Sequence, residues 1–227
     1  FIENIGKGIQ VDIFFHHFNL QVFQKIINDS NGNYTKYIIM PTNLVGASAI
    51  IKTLPVDEIY ILDQTNAELK SFPAVYQNHQ KDIYNGLEEG KTKLKKYEKL
   101  ILVFPGFREP VGMKIGFKKF CEDFGFSYMI FTEFKDLKIK KGEVYIIPDD
   151  RDLVKVIEKS KLQNLKLGVD FGIISYNETP LKKVVENGIT TISTDFVAMG
   201  KILAQMILNG KKEQIENKST LIIRNSL

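Results

Sequence analysis

Along this chain, short apolar runs alternate with longer stretches in which apolar residues return every three or four positions. Side chains on a strand alternate faces with period 2, whereas those on a helix repeat with period 3.6. The short runs predict strands at 10–15, 36–40, 58–62, 100–104, 127–131, 143–147, 172–175, 190–193 and 220–224. The longer stretches predict amphipathic helices at 21–31, 45–52, 79–96, 111–124, 152–161 and 196–208. Such alternation is the signature of βαβ units and a parallel sheet, hence an α/β fold. Phe117, Phe120 and Phe124 form one stripe of the helix at 111–124 and read as core. Residues 1–7 read as a helix tail running straight into a strand. A βαβ domain should open with a strand, so the pattern predicts that roughly 20 residues precede Phe1.

Many predicted strands end in a turn signal and a polar cluster. These are His16-His17-Phe18-Asn19, Met40-Pro41-Thr42-Asn43, Asp63-Gln64, Pro105-Gly106-Phe107-Arg108, Pro148-Asp149-Asp150-Arg151 and Tyr176-Asn177-Glu178. Open α/β sheets bind ligands beyond the carboxyl ends of their strands. The polar residues therefore concentrate where such a fold places a ligand.

The 227 residues suffice for one large α/β domain or two small lobes. A 44% hydrophobic and 26% charged composition excludes a disordered or fibrous chain. The net charge of +4, from 31 basic and 27 acidic residues, is weaker than the basic stripe of a nucleic-acid binder. Cys121 is the single cysteine, so neither an intramolecular disulfide nor a cysteine-based zinc site can form. No run approaches the ~18 apolar residues of a membrane span, and no signal peptide is evident.

Several constellations in the chain bear on chemistry. Gly86-Leu-Glu-Glu-Gly90-Lys91-Thr92 has one residue too few between its glycines for a phosphate loop, and it lies inside a helical pattern. Lys93, Lys95, Lys96 and Lys99 read as a solvated face. His16 and His17 are neighbours and point to opposite faces of a strand, so they do not form a metal site. One of them is free to donate to a polar ligand. Of Asp149 and Asp150, one caps the following helix and the other stays free for ligand hydroxyls. Neighbouring carboxylates rarely span the 5–9.5 Å gap of a glycosidase pair. With no Gly-x-Ser-x-Gly elbow and no histidine partner for Cys121, neither an enzyme nor a cofactor is expected.

The C-terminal third carries a resemblance. Gly172-Ile-Ile-Ser-Tyr-Asn-Glu-Thr-Pro-Leu is followed by Gly188-Ile-Thr-Thr-Ile-Ser-Thr-Asp-Phe, Met199-Gly200, and a terminal Leu221-Ile-Ile-Arg-Asn-Ser-Leu. This resembles the effector-binding domain of LacI/GalR-type bacterial transcription regulators. Their signature runs Gly-Phe-Asp-Asp, Leu-Thr-Thr-Val, a Met-Gly helix and Leu-Ile-x-Arg-x-Ser. The likeness extends more loosely to Ile61-Leu62-Asp63-Gln64 and Gly116-Phe117. His16-His17, Ile39-Met40-Pro41 and Gly116-Phe117-Lys-Lys-Phe-Cys look more like regulators with a GntR-type winged helix ahead of such a domain. Two positions depart from the family: Met113 stands where a sugar-holding arginine is common, and Asn177 where the first ligand aspartate stands.

The resemblance implies a two-lobed, periplasmic-binding-protein-like (type I) α/β fold, each lobe a parallel sheet flanked by helices. The N-lobe would take 1–98 plus 194–212 and the C-lobe 99–193 plus 213–227, with crossings near Glu98, Ser193 and Lys212. The DNA-binding domain would lie outside this chain. A small sugar, a pentose or deoxyhexose, would bind between the lobes of a cytoplasmic homodimer. His17, Asp63, Gln64, Arg108, Asp149, Asp150 and Asn177 are the expected ligand residues, with Phe107, Tyr176 or Phe18 stacking on the sugar face. The alternative is a periplasmic solute-binding protein of a sugar transporter, which shares the fold; the terminal Arg-Asn-Ser segment favours the regulator.

Overall fold

The period-2 runs sort their side chains into two faces, and both faces are buried under helices. A computed structural model describes residues 1–106, 109–134 and 138–227. The chain begins with α1 (Ile2–Ile5), α2 (Leu20–Ser30), β1 (Tyr37–Ile39), α3 (Ala47–Ile51), β2 (Ile59–Asp63) and β3 (Ala74–Tyr76). It continues through α4 (His79–Glu89), α5 (Lys91–Leu94), β4 (Lys99–Val103), α6 (Val111–Phe124), β5 (Ser127–Phe131) and β6 (Glu143–Ile147). Then follow α7 (Asp150–Leu162), β7 (Gly172–Tyr176), α8 (Pro180–Val184), β8 (Thr190–Thr194), α9 (Phe196–Leu208), β9 (Gln214–Glu216) and β10 (Ser219–Ile222). No helix of the described residues is long and apolar enough to cross a membrane.

Two compact units result, one of residues 1–78 and 195–217, the other of 79–194 and 218–227. In the first, four parallel strands run in the order β1-β2-β3-β9. Ile39, Ile59, Ile61 and Ala74 face α2 and α3 through Phe23, Ile27 and Ile51, while Tyr60 and Val75 face Met199, Leu203 and Met206 of α9. Asn19 opens α2, its side-chain oxygen accepting the backbone N–H groups of Gln21 and Val22.

In the second unit the order is β10-β8-β7-β6-β4-β5, parallel except for β10 against β8. Leu100, Leu102, Val144, Ile146, Ile174 and Ile192 pack on α4 and α6, with Phe117 and Phe120 in that core. Ile101, Val103, Tyr145, Ile147 and Ile173 pack on α7. Gly116 permits the close crossing of α6 and α4: a Cβ there would lie 2.1 Å from the Gln80 carbonyl oxygen.

Three expectations need correction. Residues 10–15 form no strand, and Ile13, Phe14 and Phe15 are more than half exposed. Among the described residues no strand lies beside this segment, so no ladder takes its backbone hydrogen bonds. The helix at 79–96 breaks at Gly90, where it meets Leu221. The expected lobe boundaries at 98 and 212 shift to 78 and 217. Ile83, Leu87 and Leu94 are buried with Phe117, which assigns 79–98 to the second unit, and β9 pairs with β3, which keeps 213–217 in the first.

Candidate functional site

Parallel pairing puts the carboxyl ends of each unit's parallel strands along one sheet edge. Backbone strain collects there. Thr42, just past β1, Asp63, closing β2, and Asn177, just past β7, all have left-handed φ, at 51°, 73° and 61°. A β-branched residue such as Thr42 rarely adopts it. At Asp63, the Gln64 N–H donates to the Leu62 carbonyl at 2.9 Å, which makes a γ-turn with positive φ at its centre. Strain of this kind costs about 1–3 kcal/mol per residue and clusters at functional sites.

In the first unit, the Asp63 carboxylate accepts from the Gln77 side-chain amide, and the Gln77 N–H donates to the Asp63 carbonyl at 2.9 Å. Gln64 lies beside it, half-buried. The hydroxyls of Thr42 and Thr65 are buried with no partner among the described residues. Each is a donor and an acceptor held out of water. His17 is exposed at a left-handed bend it shares with Phe18. His16 packs its ring edge-on against Phe23 at 5.5 Å, and its Nδ1 accepts the Phe18 N–H.

In the second unit, Asp149 is the α7 cap, accepting the Arg151 N–H at 2.8 Å and pairing with its guanidinium at 2.9 Å. That guanidinium holds the Asp149 carboxyl below the usual carboxylate range. Asp150, expected with Asp149 among the ligand residues, pairs with the buried Lys182 at 2.8 Å, while its own side chain stays 61% exposed. Asn177 donates its N–H to the Ile192 carbonyl, and its Oδ1 is buried without a partner among the described residues. Glu178 grips Arg224 through both oxygens at 2.7 and 2.9 Å and accepts from the Thr191 hydroxyl at 2.6 Å. Burial works to raise the Glu178 pKa, but Arg224 and Thr191 outweigh it and hold the carboxyl below its usual range.

Tyr176 belongs to the core at 4% exposure, so it offers no stacking face. A strand residue on the inward register points into the sheet's packed side, whatever follows it. Arg108 and Phe107 lie outside the described residues. Asp63 and Gln64 thus share one sheet edge with Thr42 and Thr65, and Asp149, Asp150 and Asn177 share another with Lys182. Thr42, Thr65, Gln77 and Lys182 escaped sequence reasoning. Thr42 at least sat inside a polar strand-end cluster, whereas Lys182 gave no signal, since Lys-Lys at 182–183 looks like solvated surface.

Burial pushes the Cys121 thiol up to about 12, which leaves it unreactive. Among the described residues no His, Cys, Asp or Glu cluster could hold a metal ion. A surface cavity of about 460 Å³ runs along α6 and β5 past Lys114, Lys118 and Tyr128, and among the described residues none of the expected ligand residues lines it.

The α/β fold is periplasmic-binding-protein-like and is shared with solved LacI-family regulators. A LacI family transcriptional regulator from Lactobacillus casei with bound sucrose superposes with TM-score 0.74 at 13% identity, over 100% of this chain and 93% of that one. A periplasmic binding protein/LacI transcriptional regulator from Alkaliphilus metalliredigens QYMF, complexed with D-xylulofuranose, gives 0.71 at 12% identity over 97% and 88%. A regulatory protein of LacI family from Chloroflexus aggregans gives 0.71 at 13% identity over 95% and 84%. No protein-family model and no curated protein sequence matches the chain.

Proposed function

We propose that this chain is the sugar-sensing module of a transcription regulator, with DNA binding supplied by residues outside it. The observation that carries this reading is the strained, polar carboxyl ends of the strands, in a fold whose relatives hold sucrose and D-xylulofuranose. Hydroxyl-rich ligands suit open hydrogen-bonding groups: Thr42 and Thr65 each leave open a hydroxyl that donates and accepts, and Asn177 leaves open an amide oxygen that accepts. His17, Asp63, Gln64, Arg108 and Asp149 complete the proposed ligand set, with Asp63 and Asp149 accepting hydroxyl protons on whatever lone pairs their protein partners leave.

The sugar is a pentose or deoxyhexose, and the module works as a cytoplasmic homodimer. Ligand binding shifts it between two states by no more than its difference in affinity for them. The finer likeness to regulators with a GntR-type winged helix rests on the sequence motifs alone. On this reading the chain acts by binding, as a sensor of its ligand.

A thermal-shift screen against monosaccharides, disaccharides and sugar phosphates tests this. A sugar at 100 times its dissociation constant should stabilise the chain by about 2.7 kcal/mol. The gain should vanish in Asn177→Ala. Silence across the panel on a folded protein sinks the sugar reading. Size-exclusion chromatography separates a dimeric regulator from the monomer expected of a transporter's binding protein.

A further inference from the structure

Resting on the sugar-site reading, we propose that Lys182 is a positioning residue of the ligand site, a buried clamp that fixes the Asn177 backbone and neutralises Asp150. Lysine is almost never fully buried unless paired, yet Lys182 is 3% exposed. On the same short helix, Leu181 and Val184 are about 70% exposed, at 71% and 70%. Leu181 and Val184 thus face out with Lys183, while Lys182 faces in, the reverse of what burial of apolar area dictates.

The three donors of the ammonium meet three acceptors: the Tyr176 carbonyl at 2.8 Å, the Asn177 carbonyl at 2.9 Å and Asp150 Oδ1 at 2.8 Å. One cation therefore holds the last residue of β7, the left-handed residue after it, and the first residue of α7. The Asp150 side of the pair is 61% exposed, so the ion pair itself adds little to stability. Stability alone does not explain a lysine here. What the lysine secures is geometry: the carbonyls of Tyr176 and Asn177 are pinned, while the Asn177 side-chain oxygen keeps no partner among the described residues.

It also sets the charge. Asp149 is matched by Arg151, Asp150 by Lys182 and Glu178 by Arg224. These strand ends then present hydrogen-bonding groups with their carboxylates balanced one to one. The ligand they suit is an uncharged polyhydroxylated molecule, in preference to an amine or a phosphate ester.

The test combines a ligand-free and a ligand-bound readout on Lys182→Met, which keeps the length of the side chain. In ¹H–¹⁵N spectra without ligand, the variant should shift the backbone amides of Asn177 and Glu178; unmoved resonances overturn the clamp. With whichever of D-xylulose, D-ribose, L-fucose or sucrose stabilises the native chain, Lys182→Met should weaken affinity at least tenfold. Adding Asn177→Ala to it should then cost nothing further. Fully additive losses would mean that Lys182 supports the fold without positioning Asn177, and they overturn the proposal. Should Lys182→Met not fold, Lys182→Met/Asp150→Asn removes both charges and takes the same readouts. If none of the four sugars binds the native chain, the sugar reading fails while the amide shifts still decide the clamp.

Discussion

The strand ends of the two units solve the same problem in opposite ways. In the first unit, Thr42 and Thr65 keep buried hydroxyls without partners among the described residues, and Asp63 is held by a neutral amide from Gln77. In the second, Asp149, Asp150 and Glu178 are each bound to a cation before any ligand arrives. The first edge leaves two hydroxyls open, whereas the second has these three carboxylates prewired and keeps its strain and an open amide oxygen at Asn177. Polar character in a sequence therefore does not distinguish a residue that waits for a ligand from one already spoken for.

The largest effect should come from cutting the prewired edge. Arg224→Ala strips the partner from the largely buried Glu178 and should cost about 2–3 kcal/mol in urea denaturation. Replacing both residues by Met and Leu should recover most of it, and if it does not, the pair stabilises more than an apolar contact can.

Next is the open edge. Thr65→Ala should leave unliganded stability within about 0.5 kcal/mol, because its hydroxyl has no partner to lose. Sugar affinity should fall about tenfold, or about 1.4 kcal/mol by calorimetry. A loss of stability without a loss of affinity would reverse the contrast between the edges. Thr42→Gly should relieve the left-handed strain and stabilise the unliganded chain by somewhat under about 1 kcal/mol in thermal melts, after glycine's own entropy cost.

The smallest effect is on pH dependence. Glu178 and Asp149 are held below their usual values, so their contribution is fully present above an unfolded-state pKa of about 4. It is lost as pH falls through the lower, folded-state values. Glu178→Gln should therefore flatten the fall in urea midpoint between pH 5 and pH 2.5; an unchanged profile would show that Arg224 does not hold the Glu178 charge.

Local pattern made most of the fold legible. Ile101, Val103, Tyr145 and Ile147 alternate with Leu100, Leu102, Val144 and Ile146, and each set fills its own core. The same alternation misled at 10–15, because a strand also needs a neighbour to bond, which no local pattern reports. β3 and β9, three residues each, are too short to show a period. The strand ends were legible as places and not as chemistry. Glu178 and Arg224 are 46 residues apart, and the pairing of Asp150 with Lys182 depends on the fold bringing α7 and α8 together. Tyr176 was misjudged as a stacking face because the strand register, not the polar cluster after it, decides where its ring goes.

Cys121 has a practical consequence. The chain's one thiol is 1% exposed with its pKa pushed up to about 12, so the native protein is almost silent toward maleimide dyes. Val45 and Val169, one in each unit, are 90% and 74% exposed. Cysteines placed there could each be labelled with little background from Cys121, which gives either unit its own reporter position.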